Sequence, residues 1–172
     1  MIRIFFLALI NFYTLCASSI NPALLEIEAK LFPKIIMLDE QIDQKLVNGK
    51  LYINIIFQNR YRKEAQLMKK LLDKKVVYGK RIKVVLTKER ALKNPSAYIL
   101  FTDSQKAKKL FTALAKKNRL ILSALPSAID GAMVSIAVNS KVHPLLNPSA
   151  IKQSKIKLNP IIFKVSKYYE NK

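Results

Sequence analysis

The sequence predicts an α/β fold: a single-domain three-layer sandwich, its mainly parallel sheet built from two βαβ units, with a C-terminal hairpin and helix. Three observations carry this. Apolar runs rich in β-branched residues alternate with amphipathic stretches, first over Leu51 to Leu86 and again over Ala97 to Leu122. Strands separated by such stretches pair in parallel, because only a crossover brings the chain back to the same end of the sheet, and the crossover is right-handed. No linker or low-complexity tract divides the chain, so one core serves all of it.

The elements follow in order. Arg3, then an apolar run from Ile4 to Leu15, then the small residues Cys16 to Ser19, form the pattern of a secretory signal peptide over residues 1–19. That run is too short for a bilayer-spanning helix of ~20 residues. Cleavage is expected after Ser19 or Ala17, leaving residues 20–172 as an α/β domain in the periplasm. Asn21-Pro22 opens a helix with a cap residue and a proline at the first helical position. Leu24, Ile27 and Leu31 continue it, and Pro33 is expected to bend or end it. Asn48-Gly49 marks a turn, and Leu51 to Phe57 is a strand covered on both faces.

From Lys63 to Lys74 the period changes: Ala65, Met68 and Leu72, with Leu71 beside them, form one apolar stripe. Gly79 punctuates before a strand over Arg81 to Leu86. Ala97 to Phe101 is the next strand, and Asp103-Ser104 caps a helix whose Ala107, Leu110, Phe111 and Leu114 face the core. Leu120 to Leu122 is a further strand. Asp130-Gly131 reads as a turn with positive φ at the glycine, and Asn139-Ser140 joins a strand over Val134 to Val138 to Lys141-Val142-His143 as a hairpin. Asn147-Pro148 and Asn159-Pro160 repeat the cap-then-proline start. The second is expected to open a terminal helix with Ile161, Val165 and Tyr168 along one side.

Charge and composition narrow the function. Lys+Arg number 31 against 11 Asp+Glu, a net +20 that attracts polyanions without specificity. Most of it is lysine, which lacks the bidentate fork of a base reader, so no specific nucleic acid is expected. The only cysteine, Cys16, leaves with the leader, so the mature chain forms no disulfide. Gly49, Gly79 and Gly131 are the only glycines and stand apart, which rules out a P-loop and the dinucleotide fingerprint. His143, the only histidine, reads as a packed or surface residue. The acidic cluster Asp39, Glu40 and Asp43 reads as a solvated turn. No residue is assigned a catalytic, cofactor-binding or metal-binding role. The pairs Lys69-Lys70, Lys74-Lys75, Lys108-Lys109 and Lys116-Lys117 are placed on the two crossover helices as solvated faces, and contact with an anionic membrane surface is the sharper alternative.

The C-terminal third carries a resemblance. Ile129-Asp130-Gly131-Ala132-Met133-Val134-Ser135-Ile136, then Lys141-Val142, Leu146-Asn147-Pro148-Ser149-Ala150 and Ile156-Lys157-Leu158-Asn159, resembles the end of the YfiR/HmsC family of periplasmic regulators. The order of the preceding elements also fits that family, and Phe32-Pro33 partly echoes its feature after the first helix. Ala132 stands where many relatives have a second glycine, and the cysteines of some members are missing. The resemblance implies a non-enzymatic periplasmic protein that binds and restrains an inner-membrane diguanylate cyclase, so modulating cyclic di-GMP output and biofilm formation. It also implies self-association as a homodimer, and it assigns no partner-binding residue here. The competing classes are an exported solute-binding protein and an exported polyanion-binding protein.

Overall fold

The computed structural model describes residues 20–170. The expected leader and its expected cleavage point therefore lie outside the described residues. Within them the chain runs α1 (Pro22–Ile36), β1 (Leu51–Phe57), α2 (Arg62–Leu72), β2 (Val76–Val77), β3 (Lys80–Lys88), β4 (Ala97–Phe101), α3 (Ser104–Leu114), β5 (Leu120–Ser123), β6 (Val134–Val138), β7 (Val142–Leu146), α4 (Pro148–Ser154), α5 (Ile161–Val165) and β8 (Lys167–Tyr168). Eight strands form one sheet in the order β2-β3-β1-β4-β5-β6-β7-β8. The block from β3 to β6 is parallel throughout, β2 and β7 run antiparallel to their inner neighbours, and β8 lies parallel to β7. This is the expected α/β sandwich.

The two crossovers step in opposite directions from the centre, β1 to β3 one way and β4 to β5 the other. Right-handed connections then put their helices on opposite faces. Helix α2 packs on β1, β3 and α1, whereas α3 packs on the 3₁₀ stretch Pro126–Gly131 that leads toward β6. Between the layers, Ile53, Ile55, Ile56 and the whole of β4 are buried. The one polar side chain in mid-β1, Asn54, is fully satisfied: its amide donates to Thr87 Oγ1 at 2.8 Å and its Oδ1 accepts from Leu92 N–H at 2.9 Å. A buried polar group needs such partners.

Five local departures from the sequence reading have physical causes. Pro33 does not end α1, which continues to Ile36. The proline forfeits one hydrogen bond near the helix end, but its carbonyl still accepts from Met37 N–H at 3.1 Å, and burial of Phe32, Ile35 and Ile36 holds the last turn. Strand β2 has too little apolar signal to be read in advance. It forms because Tyr78 and Gly79, with φ of 44° and 76°, turn the chain back onto β3. The β6–β7 connection has three residues, since Val138 pairs with Val142.

The fourth departure is the terminal helix, which stops at Val165. Tyr168 leaves it to pair with Leu146 as β8. The free edge of β7 offers backbone partners that a short helix cannot match, and Tyr169 N–H reaches Leu146 O at 2.7 Å. The fifth is Gly131, which has no positive φ. It closes a 3₁₀ turn against α3, where an added Cβ would overlap the backbone of Ala107 and Lys108 and lie 2.5 Å from the Ala107 Cβ. Glycine is required there by close approach of two backbones rather than by left-handed geometry.

Candidate functional site

In an open sheet of this topology the usual ligand crevice lies beyond the carboxyl ends of the strands, where the strand order reverses. Here that point falls between β1 and β4. The chain closes it with its own side chains. Asp103 N–H donates to Gln58 Oε1 at 2.8 Å, and Gln58 Nε2 donates back to Asp103 Oδ2 at 3.0 Å. The Arg60 guanidinium donates to the same oxygen. Asp103 Oδ1 meanwhile caps α3 by accepting from Lys106 N–H at 2.8 Å. That backbone N–H, with Gln58 and Arg60, holds the carboxyl below its ordinary range.

A second carboxylate reinforces the closure. Asp130 Oδ2 accepts from Ser104 Oγ at 2.6 Å and pairs with Lys108 Nζ at 2.8 Å. Burial works against the ionised form of Asp130, but the bonds from Lys108 and Ser104 outweigh it and depress its pKa. Lys108 is pushed the other way by the same bond. Ser104 Oγ thus donates to a carboxylate that Lys108 holds from its other side. Two carboxylates at the positive end of α3 also occupy the place a phosphate would take.

An open groove lies elsewhere, between α1, β7 and the segment from α5 to β8. It has a volume of about 630 Å³. Leu31, Ile35 and Leu38 form one wall, Val142 and Pro144 the other, and Ile162 the floor, while Lys34, Lys164 and Lys167 stand on the rim. Tyr78 and Val165, on its lining, are 70% and 56% exposed. Large apolar side chains gathered around one hollow are the mark of an interaction site, unlike isolated exposed ones. No family model matches this chain, and no curated protein matches it. Among solved structures it is similar to a conserved domain protein from Vibrio cholerae, with a TM-score of 0.47 and 10% identity. The match covers 85% of this chain and 60% of that one.

The residues singled out by sequence are scattered. His143 sits in β7 on the wall of the groove, half-buried. The acidic cluster is not a solvated turn throughout. Asp39 is 1% exposed and pairs with buried Lys45 at 2.5 Å, because the turn after α1 is tied to the C-terminal segment through Glu40 N–H to Lys157 O and Asn159 N–H to Leu38 O. Asp43 faces solvent and meets Lys80 at 3.4 Å, so the two carboxylates do not act together. Lys74-Lys75 follow the end of α2, and Lys116-Lys117 lie in a 3₁₀ turn after α3 rather than on either helix. Among the described residues no group of His, Cys, Asp or Glu is placed to hold a metal ion, and no helix is long and apolar enough to cross a membrane. Sequence reasoning missed the groove. Its one signal was Val165 on the expected terminal helix, a residue that lines the groove.

Proposed function

We propose that the chain is a non-enzymatic periplasmic regulator that binds and restrains an inner-membrane diguanylate cyclase, with the groove between α1, β7 and α5 as its contact. The observation that carries this reading is the groove itself: apolar walls, more than half-exposed Tyr78 and Val165, and three rim lysines. The resemblance of the C-terminal third to the YfiR/HmsC family supports it, because β7, one wall of the groove, belongs to that third. A second copy carrying the same net +20 is a poor occupant. A partner segment with an apolar face flanked by carboxylates is complementary in both shape and charge. Binding one conformation of the cyclase better than another is then enough to shift its activity.

The test is genetic and direct. Deleting the gene raises cyclic di-GMP and biofilm formation, and the rise vanishes when the cognate cyclase is deleted too. Val165→Asp, a substitution at a half-exposed position that leaves the fold intact, reproduces the deletion. Unchanged cyclic di-GMP in the deletion strain refutes the regulator reading, whereas a silent Val165→Asp in a strain that responds to deletion refutes only the groove.

A further inference from the structure

Away from the groove and the sealed crevice, at the amino ends of β1 and β3, the structure gathers cations that sequence spacing does not bring together. A hollow of about 430 Å³ is lined by Lys50, Lys83, Lys93, Tyr52, Asn48 and Asn94, with Val47 at its edge. It adjoins a second, of about 320 Å³, that shares Lys50 and Lys83 and adds Lys69, Lys74 and Arg81. Asp73 is the only acidic residue on either lining, and it is bound to Lys69 at 2.9 Å. Among the described residues the other five cations have no carboxylate partner. Six cations to one carboxylate far exceeds the balance of 31 to 11 in the whole chain.

The walls of the larger hollow are fixed before any ligand arrives. Asn48-Gly49 forms a turn closed by reciprocal hydrogen bonds between Val47 and Lys50, at 3.0 and 3.1 Å, which sets Lys50 at the mouth. The opposite wall, Lys93-Asn94, belongs to a loop pinned at both sides. Buried Asn54 accepts from Leu92 N–H, Tyr98 Oη donates to Leu92 O at 3.0 Å, and Arg119 Nε donates to Pro95 O at 2.6 Å. The floor is Tyr52, paired in register with Lys83, whose ammonium lies 5.8 Å from the ring centroid. Charges held on pinned backbone bind without a large ordering cost.

We propose that this cleft is a binding site for a compact, multiply charged phosphate group. Lysine binds phosphate as a point charge, so several ammonium groups around one hollow favour the anion with the most charge in the smallest volume. Asn48 and Asn94 add neutral amide donors at the rim. The concave shape argues for a small phosphate or a protruding headgroup over a duplex or a flat bilayer, which would ride on the walls formed by residues 47–50 and 93–94. The same chemistry is presented by a free phosphorylated metabolite and by a phosphomonoester lipid headgroup.

Calorimetric titration of the exported chain with pyrophosphate tests the site, with vesicles of phosphatidylcholine doped with phosphatidic acid as the second arm. Pyrophosphate binds the wild type, and the double variant Lys83→Gln, Lys93→Gln weakens it by about tenfold or more. The double variant Lys116→Gln, Lys117→Gln removes the same charge outside the cleft and changes affinity by less than about twofold, since screening limits long-range effects. Vesicle binding that is lost in the cleft variant and competed by pyrophosphate assigns the site to a headgroup, and pyrophosphate binding without vesicle binding assigns it to a free phosphate. Equal loss in both double variants, or no pyrophosphate binding at low ionic strength, overturns the proposal. Neither result bears on the cyclase reading, which is tested by cyclic di-GMP levels.

Discussion

At the carboxyl ends of β1 and β4, Arg60, Lys106 and Lys108 each meet a carboxylate, on Asp103, Glu89 and Asp130. At the amino ends of β1 and β3, Lys50, Lys74, Arg81, Lys83 and Lys93 line two adjoining hollows, and among the described residues none of these five does. With only 11 acidic residues in the chain, counter-charge is scarce, and where it is placed decides which end of the sheet is open to an anion. The end that topology offers as a ligand site is closed by side chains, and the end that topology leaves unassigned carries the uncompensated field. Fold alone therefore does not predict where the uncompensated charge lies.

The largest expected effect breaks the closed end at its backbone. Gly131 lets the 3₁₀ stretch touch α3 beside Asp130, and any side chain there must push the two apart. Gly131→Val and Gly131→Asn are both expected to cost ~4 kcal/mol or to prevent folding, as overpacking against main chain exceeds the usual core penalty. Urea titration of both variants measures it. A mild Gly131→Asn beside a damaging Gly131→Val would restore a turn needing left-handed geometry in place of steric exclusion.

The next effect concerns a buried carboxyl group whose oxygens have no hydrogen-bond partner. Glu28 of α1 is fully buried, its two oxygens have no hydrogen-bond partner, and burial pushes its pKa up to about 9. The unfolded chain loses this proton near the ordinary 4.5, while the folded chain keeps it to about 9. Unfolding in that window therefore releases a proton, and stability falls as pH rises, by at most ~1.4 kcal/mol per unit from this group. Glu28→Gln should remove the slope and stabilise the domain by ~2 kcal/mol near neutral pH. Parallel denaturation curves for wild type and variant between pH 5.5 and pH 8.5, within about the range set by this linkage, would contradict it.

How much of this was legible in advance depends on the range of the interactions. The caps at Asn21, Asp103 and Asn147 are local, and each side chain accepts the backbone N–H its spacing implied. Strands β1 and β4 announced themselves by continuous apolar runs, because both faces are covered. Gly131 and Tyr168 were misread because their partners, Ala107 and Leu146, are distant in sequence. The cleft was invisible for the same reason. Lys83 lies in β3 and Lys93 in the loop that follows it, and the register of β1 with β3 and the Asn54 anchor bring them together. Runs of adjacent lysines drew attention, and the structure gives Lys69 and Lys108 carboxylate partners.

A smaller change probes the seal itself. Asp103→Ala removes the cap of α3 and the acceptor for Gln58 and Arg60, and is expected to cost ~1–2 kcal/mol, whereas Asp103→Asn keeps a cap and costs less than ~1 kcal/mol. The Lys106 N–H and the Gln58 and Arg60 side chains hold the Asp103 carboxyl below its ordinary range. Its contribution is thus present above the usual carboxylate range and lost as pH falls through the depressed value. Asp103→Ala should therefore flatten the acid limb of the stability profile. An unchanged acid limb would show that the seal contributes nothing through charge.

The smallest expected effect comes from the open end. Cations crowded around the hollows repel one another with only Asp73 to offset them, so removing two should stabilise the domain, opposite in sign to the changes at the sealed crevice. The variant Lys83→Gln, Lys93→Gln is expected to gain ~0.5 kcal/mol at low ionic strength, within the range of exposed charge interactions. At about 1 M salt the Debye length shrinks to ~3 Å, and the gain should disappear. Gln58→Ala, which breaks two short-range hydrogen bonds to Asp103 at the closed end, should keep most of its penalty at both salt concentrations. Melting curves of the two variants at low and high salt therefore separate the ends. A salt-independent gain for the lysine variant would mean that those side chains are held by packing rather than by an uncompensated field.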